Sequence, residues 1–176
     1  MKASRAGNSA AGSGTAGASA ARGARLAALA LGGVFCAFGF EKVRAPAEFL
    51  KALHGYAILP GGPPFLENAS ALALPWFELL CGALLIAGVW RRTAALALLG
   101  LLVAFTLAVL QRGLRIAGET GACICSVRFD CGCGSGPVPF CAKLIENSAL
   151  MLLAVLAGLP SPTCARGRAR RSARAR

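Results

Sequence analysis

Five of the eight cysteines of this 176-residue chain fall within nineteen residues: Cys123, Cys125, Cys131, Cys133 and Cys141. They are spaced as C-x-C, five residues, C-x-C, seven residues and a final Cys. Thiols this dense form disulfides, hold a metal, or exchange disulfides with other thiols. A C-x-C pair closes only a small, strained ring, and strained, exposed disulfides are the labile, exchange-competent kind. Gly132 and Gly134 supply the backbone freedom such a ring needs. An odd number of cysteines cannot all pair internally. Thiolate binding of Zn or Cu(I) by Cys123, Cys125, Cys131 and Cys133, with Cys141 nearby, is the alternative chemistry.

The elements that must position these thiols are set by composition. Hydrophobic residues make up 56% of the chain and charged ones only 15%, against about a quarter charged in soluble domains. Four apolar stretches have the roughly 17–25 residues needed to cross a bilayer core: 26–43, 69–90, 93–110 and 142–159. The fold class expected is all-α, an integral membrane four-helix bundle. Residues 1–25, rich in Ala, Gly and Ser with four basic residues and no acid, are expected to be a disordered basic tail. Residues 160–176 form a second, Arg-rich tail. Cleavage after Ala47 is not expected, because Glu41, Lys42 and Arg44 would fall in the cleavage region.

The formal charge of +12 is the other anomaly, and its distribution explains it. Twelve basic residues and no acidic ones lie in the N-terminal tail, the Arg91-Arg92 turn and the C-terminal tail; the remainder sums to zero. The positive-inside rule then puts both termini and that turn in the cytoplasm. The two long loops, about 44–68 and 112–141, face outward, on the outer side of a bacterial-type cytoplasmic membrane. The five clustered cysteines therefore lie where thiols become oxidised. The Arg-rich tail is suited to anionic lipid; without interleaved aromatics it is not expected to bind nucleic acid.

Several polar residues belong to this outer side. Glu78, about 5 Å below the outer surface when counted from Pro75, is an intramembrane carboxylate and so a functional candidate. Glu41, Arg112, Arg115 and Glu146 with Asn147 enter or leave spans at the same side. Together they are expected to form a polar cluster under the cysteine loop, acting as an ion-pair clamp or a proton relay, and an adjacent Arg favours a cysteine thiolate. Cys36 and Cys81 fall at matching depths, as inert apolar residues or as an embedded pair. Cys164 falls on the cytoplasmic side. Phe49, Leu50, Leu53 and Tyr56 recur at helical spacing and predict a short interfacial helix that carries His54, the only histidine. Beyond it, residues 60–64 (Pro-Gly-Gly-Pro-Pro) predict a turn.

An ordered set of residues resembles a known family. It comprises Gly33-Val34-Phe35 and Gly39-Phe40-Glu41-Lys42, then Phe49 and residues 56–60, Pro75-Trp76-Phe77-Glu78, Gly82, Gly88 and Phe105-Thr106. Arg112-Gly113 and Asp130-Cys131-Gly132-Cys133 complete it. The set is similar to the methylamine-utilisation MauE membrane proteins, within the wider DoxX-like four-helix group. The resemblance implies a redox-associated membrane protein acting with a thioredoxin-like partner on the disulfides of an exported client, methylamine dehydrogenase in the namesake. It implies Cys131 and Cys133 as the exchange pair, and we expect Cys123 and Cys125 to form a second pair that regenerates it. This chain has Gly134-Ser135 where the family has Phe-Gly, and Cys123, Cys125 and Cys141 are additions. No phosphate loop, dinucleotide fingerprint, zinc-protease helix or hydrolase elbow is present, so no cofactor is expected. The rival readings are the thiolate metal site, a non-catalytic assembly factor with a braced docking loop, and a quinone-linked subunit.

Overall fold

The computed structural model describes residues 12–56, 64–130 and 136–159. Its long helices are α1 (Gly12–Arg44), α3 (Pro64–Ala87), α4 (Arg91–Thr120) and α5 (Phe140–Gly158). A short helix, α2 (Pro46–Tyr56), follows α1 where the sequence predicts one. The turn expected at 60–64 lies outside the described residues, apart from Pro64 at the start of α3. Each long helix contains a segment long and apolar enough to cross a membrane: Ser19–Arg44, Asn68–Ala87, Arg91–Thr120 and Phe140–Gly158.

Two boundaries differ most from the sequence expectation, for one physical reason. Extending a formed helix adds a hydrogen bond for each residue fixed, whereas starting one is costly. Helix α1 therefore runs back through the alanine-rich residues 12–25, which were expected to be disordered. Helix α4 runs ten residues beyond Leu110, to Thr120, where Gly121 in the left-handed conformation (φ 65°) ends it. At 1.5 Å per residue that extension carries α4 about 15 Å past the expected exit, toward the cysteine loop.

The four helices pack around small residues. A Cβ on Gly32 of α1 would lie 2.8 Å from the Gly82 carbonyl oxygen of α3. A Cβ on Gly82 would in turn lie 2.8 Å from Cys36 Sγ. Glycine at both positions lets the two backbones touch, as helices in lipid do when van der Waals contact must replace the hydrophobic effect. One buried cluster joins Leu31 and Phe35 of α1, Leu85 of α3, Leu98 of α4 and Ala154 of α5. Outward faces stay apolar, with Leu72, Trp76, Leu96, Leu107 and Leu152 all exposed. Helices that are apolar on both faces fit lipid, not water, as their surroundings.

The bundle has two distinct ends. At one, Arg91 donates to the Leu159 carbonyl at 3.0 Å, which brings the α3–α4 turn to the end of α5. Gly88 (φ 72°) and Trp90 (φ 46°) make that turn tight. At the other, α2 and the connection from α4 to α5 meet. A Cβ on Gly55 of α2 would lie 2.7 Å from an Arg112 guanidinium nitrogen. The basic turn and the cysteine loop are thus at opposite ends.

Candidate functional site: a disulfide-tied hairpin above a buried ion pair

The α4–α5 connection is ordered by a small core of its own. After Gly121, a single 3-10 turn (Ile124–Ser126) leads into β1 (Arg128–Asp130), which pairs antiparallel with β2 (Pro137–Pro139). Phe129 sits opposite Val138. The Phe140 N–H donates to the Val127 carbonyl at 2.9 Å and continues the pairing into the first residue of α5. Val127, Phe129 and Phe140 are buried together on Ala108 and Val109 of α4. Gly113 makes this docking possible, because a Cβ there would collide with the Phe140 ring. The Arg112-Gly113 pair of the sequence set therefore has two structural jobs: Arg112 packs against α2, and Gly113 receives the hairpin.

A disulfide joins Cys125 in the 3-10 turn to Cys141 at the start of α5, sixteen residues apart, with Cα atoms 5.0 Å apart. This corrects the expected Cys123–Cys125 pairing. The hairpin folds back to α5 and brings Cys141, not Cys123, into bonding distance of Cys125. Cys123 is a free, exposed thiol. Ser126 holds its turn, donating through N–H and Oγ to the Cys123 carbonyl at 2.9 and 2.7 Å. Cys131 and Cys133 lie in 131–135, outside the described residues, in the segment that links Asp130 to Pro137. Among the described residues, no three His, Cys, Asp or Glu side chains gather as metal ligands. The four-thiolate set also loses Cys125 while it is bonded to Cys141.

Beneath the hairpin lies a polar centre whose membership differs from the expected one. Lys42 Nζ sits 2.6 and 2.8 Å from the two Glu78 carboxylate oxygens, joining α1 to α3, and both residues are buried. Lys143 of α5 is 2% exposed; its ammonium lies 3.1 Å from Glu146 Oε2 and over the Phe38 and Phe105 rings. Asn147 donates to Thr106 Oγ1 at 3.0 Å, and Thr106 donates onward to the Leu102 carbonyl at 2.7 Å. Lys42, Glu78, Lys143 and Asn147, with Phe35 and Phe105, line a cavity of about 40 Å³ between all four long helices. That is room for about three or four waters at most, at ~10–15 Å³ each.

Of the residues expected there, Glu78 and Asn147 are at the centre and Glu146 reaches it from a half-exposed position. Glu41 and Arg115 face outward and are exposed, and Arg112 is committed to α2. Lys42 and Lys143 are the missed members. Helical spacing held the signal: Lys42 continues the buried face of Phe35 and Phe38, while Glu41 is about 100° off it. Lys143 likewise shares a face with Asn147, Leu150 and Ala154. Glu78 is also deeper than expected. Because α3 passes unbroken through Pro75, Glu78 is nine residues from Ala87 and ten from Asn68, about 14–15 Å from either end of the span. Cys36 and Cys81 are both free thiols on the α1–α3 seam. The Cys36 thiol faces the Leu79 carbonyl at 3.9 Å, and Cys81 is packed in the core. Cys164 lies outside the described residues.

The family described as "Methylamine utilisation protein MauE" matches residues 20–160, which span all four helices, the ion pair and the cysteine loop. The chain belongs to the MauE family. As a MauE-family protein with four membrane-length helices it is a multi-pass membrane protein. The methylamine utilization protein MauE of Methylophilus methylotrophus is 33% identical over 114 residues, covering 65% of this chain and 54% of the relative. The chain thus matches about half the length of that curated MauE. No solved structure matches it.

Proposed function

We propose that this MauE-family protein takes part in thiol-disulfide exchange on the outer face of a bacterial-type cytoplasmic membrane, maturing an exported client together with a thioredoxin-like partner. Family membership and the relative's name point to methylamine utilisation as the setting. The observation that carries the reading is the hairpin itself: one disulfide ties its base, a free exposed thiol stands two residues from that disulfide, and the C-G-C segment links its strands.

In mechanism, a thiolate of Cys131 or Cys133 attacks a partner disulfide, a mixed disulfide forms, and the neighbouring cysteine resolves it. The buried Lys42–Glu78 pair serves as a clamp, holding α1 against α3 so that the hairpin end of the bundle keeps its shape. Client oxidation in cells carrying Cys131→Ser and Cys133→Ser variants tests the reading. Loss of client disulfides at normal protein levels supports it, and unchanged client oxidation rejects it.

The rival reading, a non-catalytic assembly factor, rests on how firmly the hairpin is docked through Phe129 and Phe140. It predicts that the same substitutions reduce folding and partner binding together, with no mixed disulfide.

A further inference from the structure

We infer that the Cys125–Cys141 disulfide is a second exchange site with a fixed direction of attack, in which an incoming thiolate bonds to Cys125 and Cys141 leaves. The inference rests on the exchange reading above and adds to it which disulfide accepts electrons and through which sulfur.

Three observations on the two sulfurs differ in the same sense. Cys125 is exposed, whereas Cys141 is half-buried and packs against the cluster formed by Val127, Phe129 and Phe140. Thiol-disulfide exchange depends on the nucleophile's access to the attacked sulfur, and Cys125 is the more solvent-exposed of the two residues. Cys141 is the second residue of the nineteen-residue helix α5. Free N–H groups and the helix dipole stabilise an anion there, as they do for low-pKa cysteine thiolates. A stabilised thiolate is the faster leaving group. Cys125, in a three-residue 3-10 turn, has no comparable helix behind it.

The remaining contacts keep the site intact through a cycle. When the S–S bond opens, Cys141 stays in its cluster and Ser126 still holds the Cys123 carbonyl, so neither sulfur is carried away. With a dithiol donor, the first thiolate bonds to Cys125 Sγ and releases Cys141 as thiolate. The donor's second thiolate then attacks the donor sulfur of the mixed disulfide and releases Cys125. The donor ends as a disulfide; Cys125 and Cys141 end reduced by two electrons and take up two protons. The Cys131–Cys133 dithiol fits the donor's chemistry, and an oxidised dithiol carrier restores the disulfide by the reverse steps.

The test uses the full-length, detergent-purified protein with its disulfides intact. In a Cys123→Ser/Cys131→Ser/Cys133→Ser variant with remaining free thiols blocked, brief reaction with reduced glutathione is quenched by acid, and the two cysteines are mapped by mass spectrometry. The expected result is glutathione on Cys125 and a free Cys141 thiol, in at least tenfold excess over the reverse. The wild-type protein, read by isotope-coded alkylation after the same brief exposure, gives an independent arm. Glutathione on Cys141, or an even split, overturns the direction. A Cys125–Cys141 bond that resists glutathione while Cys131 or Cys133 still traps a partner overturns the second site and leaves the exchange reading standing. Inertness of all five loop cysteines overturns both.

Discussion

Lys42 and Glu78 face each other across the α1–α3 seam, the ammonium bonded to both carboxylate oxygens at 2.6 and 2.8 Å, with both side chains out of solvent. Two such charges are tolerated in a bundle core only because each neutralises the other. Glu78→Ala or Lys42→Ala alone is therefore expected to destabilise the protein by about 3–5 kcal/mol, the usual result of leaving one buried charge unpaired. The double replacement Lys42→Met/Glu78→Leu is expected to recover most of that loss. Thermal unfolding in detergent measures all three, and a single variant as stable as wild type would show that the pair is not a clamp.

Gly113 and Phe140 occupy one another's space so closely that no Cβ fits between them. Gly113→Val should push Phe140 out of its pocket and cost about 1–3 kcal/mol, the range for overpacking a filled core. Undocking should be local, exposing the residues between Gly121 and Pro139 to protease while the four helices remain folded. Limited proteolysis followed by mass mapping reads this directly; cleavage spread evenly over the bundle would contradict it.

Much of this architecture was legible in the residues. Four apolar runs marked the four long helices, and the helical spacing of Phe49 and Leu53 marked α2, because hydrophobic periodicity reports burial directly. Helix ends were less legible: residues 12–25 and 111–120 join their helices by propagation from a packed neighbour, a cooperative effect that composition does not encode. The polar centre was half legible. Glu78 stood out as a lone carboxylate in an apolar run, but Lys42 sat beside Glu41 in sequence, and only rotation about the helix separates the buried charge from the exposed one. The Cys125–Cys141 bond was not legible at all, since it depends on a three-residue antiparallel register between β1 and β2.

That bond closes a loop of sixteen residues, for which chain entropy alone stabilises the folded hairpin by about 3 kcal/mol. Cys125→Ser and Cys141→Ser should therefore loosen the hairpin equally, and the double variant should be no worse than either single one. Proteolytic susceptibility of residues 121–139 is the readout. Additive effects of the two substitutions would mean that the cysteines act separately.

The two ends of the bundle also predict accessibility. On the proposed orientation, which puts the basic Arg91-Arg92 turn in the cytoplasm, Cys123 should react with a membrane-impermeant maleimide in right-side-out vesicles, and Cys164 only after permeabilisation. The reverse pattern would invert the orientation and move the cysteine loop into a reducing compartment.

Exchange at the C-G-C segment makes the most direct demand. In a Cys133→Ser protein the resolving thiol is gone, so a mixed disulfide formed at Cys131 should persist, be captured under non-reducing conditions, and contain a thioredoxin-like protein or an exported client. It should disappear when Cys131 is also replaced. If no mixed disulfide accumulates, and alkylation of native membranes finds Cys123, Cys125, Cys131 and Cys133 in one unchanging redox state, the hairpin is not an exchange site.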